Sequence, residues 1–535
     1  MSTPLQTCGR VKVRNKQTEL LNKFVFFFFS HTLLVLVLHS SPTHQPPLAM
    51  SATQPHPLEL PEILNNVAKY VPDRSLPACA RVSKTWHQEF VPFVWRTINL
   101  RNRALLPEAV RPHSQHIAEL HLTQPLPQEF ATLTCPNLHF LELMSMGRDC
   151  DLSGFIFRHQ SLTRLVLDGY SPGPQTTLWE EILGLDNLKD LTVMDIDIDT
   201  EDVDKFWQVC TRLERLDFGC IEMETPSDLL SMEFPRMQNF RLTSPVEKDL
   251  PWLMAFIYKC PNITTFFWTI QGRESPALFA FNFAKLVSEG TWPYLERLES
   301  SMIPNASLSK IMAGMQRITS LKLTILGDSF GSNCMDILRQ HFSNLKELDL
   351  LDRGFTSPMA QEVLSSCPLL EVLKVVRIDA TDVATGRPWV CLGLKKLAAC
   401  FRFDPTTIDQ LQPLVFDQLS KLSRLEGLNV DGRSAGSSWK YLAFQETFDF
   451  RLEMGLDKLS TLRLLCDFSF CHTRQRMAEE EIEWITKHWR RISRATIERS
   501  IRQHDGARKT MELFWKHEEE MMSKLNLTWS TPQSP

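Results

Sequence analysis

A short apolar pattern returns about every 25 residues through most of this chain, and it limits the possible folds more than any other feature. Its form is L-x-x-L-x-L, with other large apolar residues at some positions. Clear copies begin at Leu138, Leu162, Leu188, Leu213, Met237, Ile263, Leu295, Ile318, Leu345 and Leu370. Weaker copies begin at Ile117, Leu394 and Leu425, and as Leu459-Leu462-Leu464. A fixed period of this size predicts a solenoid, in which each unit stacks on its neighbours.

Each repeat contains signals for one strand and one returning helix. The last two apolar positions of a copy alternate with polar ones, which predicts a strand with one face inward. Thr200 and Asp202 open a helix, and Ser357-Pro358 begin another that runs to Ser366. The repeat resembles the leucine-rich repeat, which implies an α/β solenoid over residues 101–478, with a parallel sheet on its concave face and helices outside.

The cysteines fit the same repeat. There are 13 of them, without any C-x-x-C pair, so neither a disulfide framework nor a zinc site is indicated. Cys135, Cys260 and Cys367 each precede a proline and stand three residues before the first apolar residue of a repeat, and Cys210 stands likewise before Leu213. We expect all four to be buried at helix ends.

Residues 58–100 follow the periodicity of three short helices instead. One face of the first helix is lined by Leu60, Ile63, Leu64, Val67 and Val71. Ser75 and Ser83 are placed to cap a second and a third helix. Pro92 is expected to interrupt the chain again before Phe93.

This stretch resembles an F-box. The residues that carry the resemblance, in order, are Leu60-Pro61-Glu62-Ile63-Leu64, Val67, Val71-Pro72, Leu76, Arg81-Val82-Ser83-Lys84, Trp86 and Trp95. The resemblance implies an all-α three-helix unit that docks on the Skp-type adaptor of cullin–RING (SCF) ubiquitin ligases. It places Leu60, Pro61, Ile63, Leu64, Val67, Leu76 and Val82 on or under the docking face, with Trp86 and Trp95 holding the helices together. The alternative is that these apolar residues pack on the next domain.

The two resemblances together imply a substrate-recognition adaptor for ubiquitin-dependent protein degradation, cytoplasmic or nuclear, with a protein target on the concave face of the solenoid. Candidate contacts are the outward strand positions and their neighbours: Arg164, Val166, Lys189, Asp190, Arg215, Asp217, Lys322, Thr324, Lys346, Glu347 and Lys374. A net charge of −5 argues against a nucleic-acid partner.

No enzyme signature occurs in the sequence. It has no P-loop, GxGxxG, GxSxG or HExxH motif, so we predict no catalytic residues, no cofactor and no metal. Cys466 and Cys471-His472 have no orienting group nearby in the sequence, and we interpret them as packing residues.

The first 57 residues form an extension with three open interpretations. A basic segment precedes an apolar run over residues 24–38, which is short for a membrane span. Translation could start at Met50; the run could tether a leucine-rich-repeat scaffold with no ligase role to a membrane; or it could direct secretion, with Asn262, Asn305 and Asn526 as glycan acceptors. Residues 40–57 are rich in proline and serine, as linkers are.

Residues 479–535 are predicted to form a helical cap and tail. Ile482, Ile485, Trp489 and Ile492 fall on one helix face, and the segment resembles the helix of one more repeat whose strand has degraded.

Overall fold

A computed structural model describes residues 60–100, 107–123, 132–144, 154–169, 177–219, 223, 229–243, 250–269, 276–301, 303–324, 330–350, 354–431, 446–470, 477–492, 494–498 and 528–530. The apolar run 24–38, Met50, Cys471-His472 and Asn526 lie outside these residues. Two compact units are described separately below: the first holds the described residues up to 121 and those of 132–139, and the second holds 122–123 and those from 140 onward. The predicted domain boundaries stay predictions.

The first unit is mainly helical. Its helices are α1 (Pro61–Ala68), α2 (Leu76–Cys79), α3 (Lys84–Val94) and α4 (Pro107–Val110), with 3-10 turns at Asp73–Ser75 and Arg111–His116. Strands β1 (Thr97–Asn99) and β2 (Glu119–Leu122) pair in parallel, with Ile98 opposite Leu120. Pro61 stands at the start of α1, where the absence of an N–H leaves no helical hydrogen bond unmade.

The caps of these helices agree only in part with the sequence prediction. Ser83 precedes α3, and its side-chain oxygen accepts a hydrogen bond from the Trp86 amide at 3.2 Å, as predicted. Ser75 precedes α2 without a side-chain cap bond. The interruption expected at Pro92 is wrong, because α3 continues through it to Val94. Pro92 lies in the last turn, where little helix remains to be disrupted.

The second unit contains one parallel sheet. Among the described residues it has fifteen strands, β3 to β17, and each pairs with the next along the chain. They are Phe140–Met144, Arg164–Asp168, Asp190–Met194, Arg215–Gly219, Asn239–Thr243, Thr265–Thr269, Arg297–Ser301, Ser320–Thr324, Glu347–Leu350, Val372–Asp379, Lys396–Arg402, Gly427–Asn429, Asp467–Ser469, Arg494–Glu498 and Thr528–Ser530.

Helices alternate with these strands. They are α5 (Leu178–Leu183), α6 (Thr200–Cys210), α7 (Leu250–Tyr258), α8 (Pro276–Ser288), α9 (Asn305–Gly314), α10 (Ser332–Arg339), α11 (Ser357–Ser366), α12 (Ala380–Thr385), α13 (Ile408–Leu419) and α14 (Glu479–His488), with 3-10 turns at Leu229–Ser231, Leu452–Met454 and Leu456–Thr461. The helices predicted after Thr200 and Ser357 are both present. A parallel sheet with one returning helix in most repeats is the predicted α/β solenoid.

The core lies between the sheet and the helices. In β3, Leu141 and Leu143 are buried while the residues on either side of each are half-exposed, as the alternating pattern predicts. Large aromatic rings fill the middle of the unit, where Trp207 packs edge-on against Phe234 and Trp252. Because neighbouring repeats share these rings, each repeat is stabilised mainly by the repeat before and after it.

The four cysteines at repeat boundaries are fully buried, as predicted. Cys135, Cys210, Cys260 and Cys367 each have no exposed surface. Burial raises the pKa of the Cys135 and Cys367 thiols to about 12, so both stay protonated at neutral pH. The Cys260 thiol donates to the Phe256 carbonyl oxygen at 3.3 Å, which ties it to the end of α7. Cys466 likewise donates to the Glu426 carbonyl oxygen, at 3.2 Å.

Asparagines that precede the first apolar residue of a repeat link neighbouring repeats. The Asn187 amide donates to the Gln160 carbonyl oxygen at 3.0 Å, and the Asn262 amide donates to the Pro235 carbonyl oxygen at 2.7 Å. These bonds satisfy a backbone acceptor where one repeat turns into the next.

Gly314 of α9 lies directly against the backbone of α8. A Cβ atom there would lie 2.6 Å from the Val287 carbonyl oxygen, which is closer than any side chain tolerates. The glycine is therefore required by the contact between the two helices.

Two predictions near the end of the chain are wrong. The copy at Leu459-Leu462-Leu464 is not a strand, since residues 456–461 form a 3-10 turn and β15 begins at Asp467, with Phe468 opposite Leu428. The tail is not continuously helical either, because α14 ends at His488 and β16 follows at Arg494–Glu498, paired with β15. The strand of this last repeat is present, with Ala495 at the position that leucine holds in other repeats.

Candidate functional site

The three-helix unit has a small apolar core of its own. Its fully or nearly fully buried residues are Leu64, Ala68, Leu76, Cys79, Ala80 and Phe90. Val67 and Trp86 are half-buried and pack against this core, and the Trp86 ring stacks on Phe90 with 5.1 Å between ring centres. Leu64 and Leu76 therefore lie beneath any docking face, where they support the helices.

A second set of apolar side chains in this unit faces solvent. Val82 is 61% exposed and Ile63 is 37% exposed, Pro61 is exposed, and Leu60 is half-buried. Tyr70, which the sequence analysis did not select, is 87% exposed. These side chains lie outside the small core and are accessible to solvent.

Trp95 contacts the segment that follows α3 in the chain. Its ring stacks on His113 with 4.4 Å between ring centres, and His113 belongs to the 3-10 turn Arg111–His116. Burial and the neighbouring His116 and His87 lower the pKa of His113, so it is neutral at physiological pH. His87 Nδ1 lies 3.1 Å from the Ala80 carbonyl oxygen and connects α3 to the end of α2.

In the second unit, the sheet has a polar face opposite its apolar core, which we call the open face. Two rows of outward side chains cross β4 to β8 on this face. The first row is Arg164, Asp190, Arg215, Asn239 and Thr265, and the second is Val166, Thr192, Asp217, Arg241 and Phe267. Residues in one row stand on neighbouring strands about 4.8 Å apart, so their side chains interact directly.

Three arginines and two aspartates of these rows surround a cavity of about 410 Å³, which we call the arginine pocket. Arg215 Nε donates to Asp190 Oδ2 at 2.9 Å, and Arg164 Nε lies 3.3 Å from the same oxygen. Arg241 Nε lies 3.3 Å from Asp217 Oδ2. The pocket therefore combines guanidinium groups with carboxylates that neutralise them only in part.

Asp217 is the most perturbed carboxyl group of this pocket. Burial raises its pKa to about 6, although the nearby Arg241 guanidinium opposes the rise. Its Oδ1 atom is buried and accepts no hydrogen bond from any described residue. A carboxylate that lacks a donor is held in its charged form less strongly than a paired one.

Farther along the row that contains Arg241, strands β10 and β12 carry the lysines Lys322 and Lys374. Lys374 donates to Asp349 Oδ2 at 2.7 Å, and Lys322 lies 3.1 Å from Glu347. Each ammonium group is in contact with a carboxylate on a neighbouring strand.

The other residues proposed as target contacts are arranged less favourably. Lys189 and Lys346 are exposed but stand one residue before their strands, and Lys189 pairs with Glu214 at 2.9 Å. Val166 is almost fully buried, and Thr324 is the last residue of β10. Sequence analysis missed Arg241 and Phe267, although both occupy the same repeat position as Asp217, and aligning the repeats would have found them.

Comparison with known proteins identifies one domain. Residues 57–89 match the family model of the F-box domain, which confirms that resemblance. The structure of the TLR13–ssRNA13 complex is similar to this chain, with 14% identity and a TM-score of 0.35, over 75% of this chain and 55% of that one. The leucine-rich-repeat ectodomain of the Arabidopsis receptor kinase HAESA, in complex with an IDA peptide hormone, gives 10% identity and a TM-score of 0.25, over 73% of this chain and 60% of that one.

The chain thus spans little more than half the length of either of these proteins. No curated protein sequence matches it. In the part of the chain that the structure describes, no helix combines the length and the apolar character needed to cross a membrane.

Proposed function

We propose that this chain, which carries an F-box domain, is a substrate-recognition adaptor subunit of an SCF-type cullin–RING ubiquitin ligase. The three-helix unit formed by α1 to α3, which we now call the F-box unit, binds a Skp-type adaptor. The open face of the sheet binds the protein that is to be degraded. The chain then supplies proximity and orientation, while the ligation chemistry belongs to other subunits. This role requires a cytoplasmic or nuclear location.

The observation that carries the proposal is the exposure of aliphatic side chains on the F-box unit. Ile63 and Val82 present aliphatic side chains to solvent and Pro61 is exposed as well, although the unit has its own core of six buried residues. Covering an aliphatic side chain by a partner contributes about 1.5–3 kcal/mol, so a few such residues account for a specific complex.

The open face of the sheet supports the second half of the proposal. It is lined by charged and polar side chains in regular rows over many strands. A broad polar surface of this kind suits a protein partner better than a small molecule, which needs an enclosed apolar pocket.

The test is capture of a purified Skp-type adaptor by the full-length chain. We expect Ile63→Asp combined with Val82→Asp to weaken capture at least about 100-fold, because two charges would be buried without partners. Both positions are exposed, so the variant should fold, which circular dichroism and thermal melting check.

The matched control is Tyr258→Asp combined with Tyr294→Asp, which places the same two charges on exposed apolar positions of the second unit. Capture by this variant should equal that of the unmodified chain. Adaptor capture that survives the Ile63 and Val82 changes would contradict the proposal. Absence of capture by the unmodified chain would favour the scaffold role without a ligase.

A further inference from the structure

We infer that the arginine pocket binds an anionic side chain of the target protein, a carboxylate or a phosphate group, through the guanidinium groups of Arg164, Arg215 and Arg241. This inference rests on the proposed function, because it assigns a chemical class to the target that the function requires. The pocket volume of about 410 Å³ is enough for one side chain and its immediate neighbours.

Exposure decides which charge a ligand meets first. The side chains of Arg164, Arg215 and Arg241 are 51%, 58% and 49% exposed. Those of Asp190 and Asp217 are only 12% and 29% exposed. The carboxylates thus lie beneath the guanidinium groups, and the accessible surface of the pocket is cationic.

The hydrogen-bonding capacity of two arginines remains largely available. Among the described residues, neither the Arg164 nor the Arg241 guanidinium donates a well-formed hydrogen bond, since each only approaches a carboxylate oxygen at 3.3 Å. A guanidinium has five N–H donors in a fixed fork that matches carboxylate and phosphate oxygens. An anion would therefore form charge-assisted bonds without first breaking good ones.

Aromatic rings hold the same two arginines in place. The Arg164 guanidinium carbon lies 4.7 Å from the centre of the Phe140 ring, and that of Arg241 lies 3.8 Å from the centre of the Phe267 ring. Stacking occupies the flat face of a guanidinium and leaves its N–H edge free. This arrangement reduces the side-chain entropy lost when a ligand binds.

The charges of the pocket also favour an anion. Three guanidinium groups against two carboxylates leave one net positive charge when both aspartates are ionised. By contrast, the ammonium groups of Lys322 and Lys374 on the same face already contact carboxylates at 3.1 and 2.7 Å. The arginine pocket is thus a better anion site than the surroundings of Lys322 and Lys374.

The experiment measures binding of the full-length chain to four pools of degenerate octapeptides whose central residue is fixed as glutamate, phosphoserine, glutamine or lysine. We expect the glutamate or phosphoserine pool to bind at least about tenfold more tightly than the glutamine pool, by fluorescence anisotropy. Equal binding of the two acidic pools identifies any anion as sufficient. Preference for phosphoserine alone identifies a target that must be phosphorylated.

Variants link the preference to the pocket. Arg164→Gln combined with Arg241→Gln should abolish the preference for acidic peptides. Asp217→Asn should tighten the binding of acidic peptides about threefold, because it removes an opposing charge. Lys322→Gln combined with Lys374→Gln removes as many charges from the same face and should leave the preference unchanged. Thermal melting verifies that each variant is folded.

Equal binding of all four peptide pools, or tightest binding of the lysine pool, would overturn the inference. So would a loss of the acidic preference in the Lys322/Lys374 variant as large as in the Arg164/Arg241 variant. Tighter binding of single-stranded oligouridine than of an acidic pool would also overturn it. Adaptor capture separates this failure from that of the proposed function. If the chain captures the adaptor but does not prefer acidic peptides, only the inference about the arginine pocket is overturned. If it prefers acidic peptides but does not capture the adaptor, only the ligase role is overturned.

Discussion

The three-helix unit and the repeat sheet deal with apolar side chains in opposite ways. The first has a core of six buried residues and leaves aliphatic side chains such as Val82 at its surface. In the strands of the second, the inward apolar residues are buried, while the outward rows on the open face carry charged side chains. The difference teaches that one chain can present two surfaces with different physics, one with exposed aliphatic side chains and one with rows of charged side chains.

The contrast predicts where stability depends on single residues. Leu64→Ala removes a fully buried side chain from the small core and should cost about 2–5 kcal/mol. Amide hydrogen exchange over α1 to α3 should then accelerate at least about 30-fold. Ile63→Ala, on the exposed side of the same helix, should change stability by less than about 1 kcal/mol. Equal effects of the two changes would mean that α1 has no exposed face.

In the second unit, the largest loss of stability should come from a change at the contact between helices α8 and α9, and not from a change on the open face. Gly314→Ala forces a Cβ against the Val287 carbonyl oxygen, and we expect a loss of about 1–3 kcal/mol in urea unfolding. Gly393→Ala is the matched control, because no atom lies within 4 Å of the added Cβ. A tolerated Gly314→Ala would show that α8 and α9 separate easily.

The open face should contain one residue whose charge opposes folding. Because burial raises the pKa of Asp217 to about 6, its carboxyl group binds a proton more tightly in the folded than in the unfolded chain. Stability from this group therefore falls as pH rises from about 4 to about 6. Asp217→Asn should stabilise the chain on the order of 1–2 kcal/mol at pH 7.5 and by almost nothing at pH 4, in thermal melts.

The control for that change is Asp349→Asn, whose carboxylate accepts a hydrogen bond from Lys374. It should be neutral or destabilising at pH 7.5. A stabilisation equal to that of Asp217→Asn would trace the effect to overall charge and not to the buried Asp217 carboxylate.

The smallest effect should come from the ion pairs between strands. Lys374→Gln breaks the ion pair between Lys374 and Asp349. Because the Lys374 side chain is exposed, the change should lower the free energy of unfolding by less than about 1 kcal/mol. The loss should shrink further between 0.05 and 0.5 M salt, roughly the range over which screening becomes strong. A larger loss would mean that the charged rows stabilise the sheet as much as its core does.

How far the sequence predicts this fold depends on how directly a repeat displays its alternation. Leu345-Leu348-Leu350 predicted β11 correctly, because both inward residues are leucines and both are fully buried. The strand predicted at Leu459-Leu462-Leu464 was wrong because apolar residues also recur in the turn before β15. The position of the strand could not be predicted without knowing how many residues are inserted between β14 and β15. Ala495 concealed strand β16 for the opposite reason, since a small residue gives no periodic signal.

The candidate site shows the same limit. Arg164, Arg215 and Asp217 were recognisable as outward strand residues, because the position within a repeat determines the face. That Arg164 and Arg215 both contact Asp190 depends on strand register and side-chain conformation, which no single repeat reveals. The family resemblance placed Ile63 and Val82 on or under a docking face, which stays a prediction, and it did not indicate the exposure of Tyr70.

The parallel register of the sheet also fixes the spacing between side chains that a polypeptide crossing the strands would meet. Arg164 and Arg215 occupy the same row two strands apart, a distance of about 9.6 Å at 4.8 Å per strand. An extended polypeptide advances about 3.3 Å per residue and covers nearly the same distance in three residues. A segment that crosses the strands would therefore match both arginines with acidic residues at every third position, and shifting it by one residue would place those charges between strands.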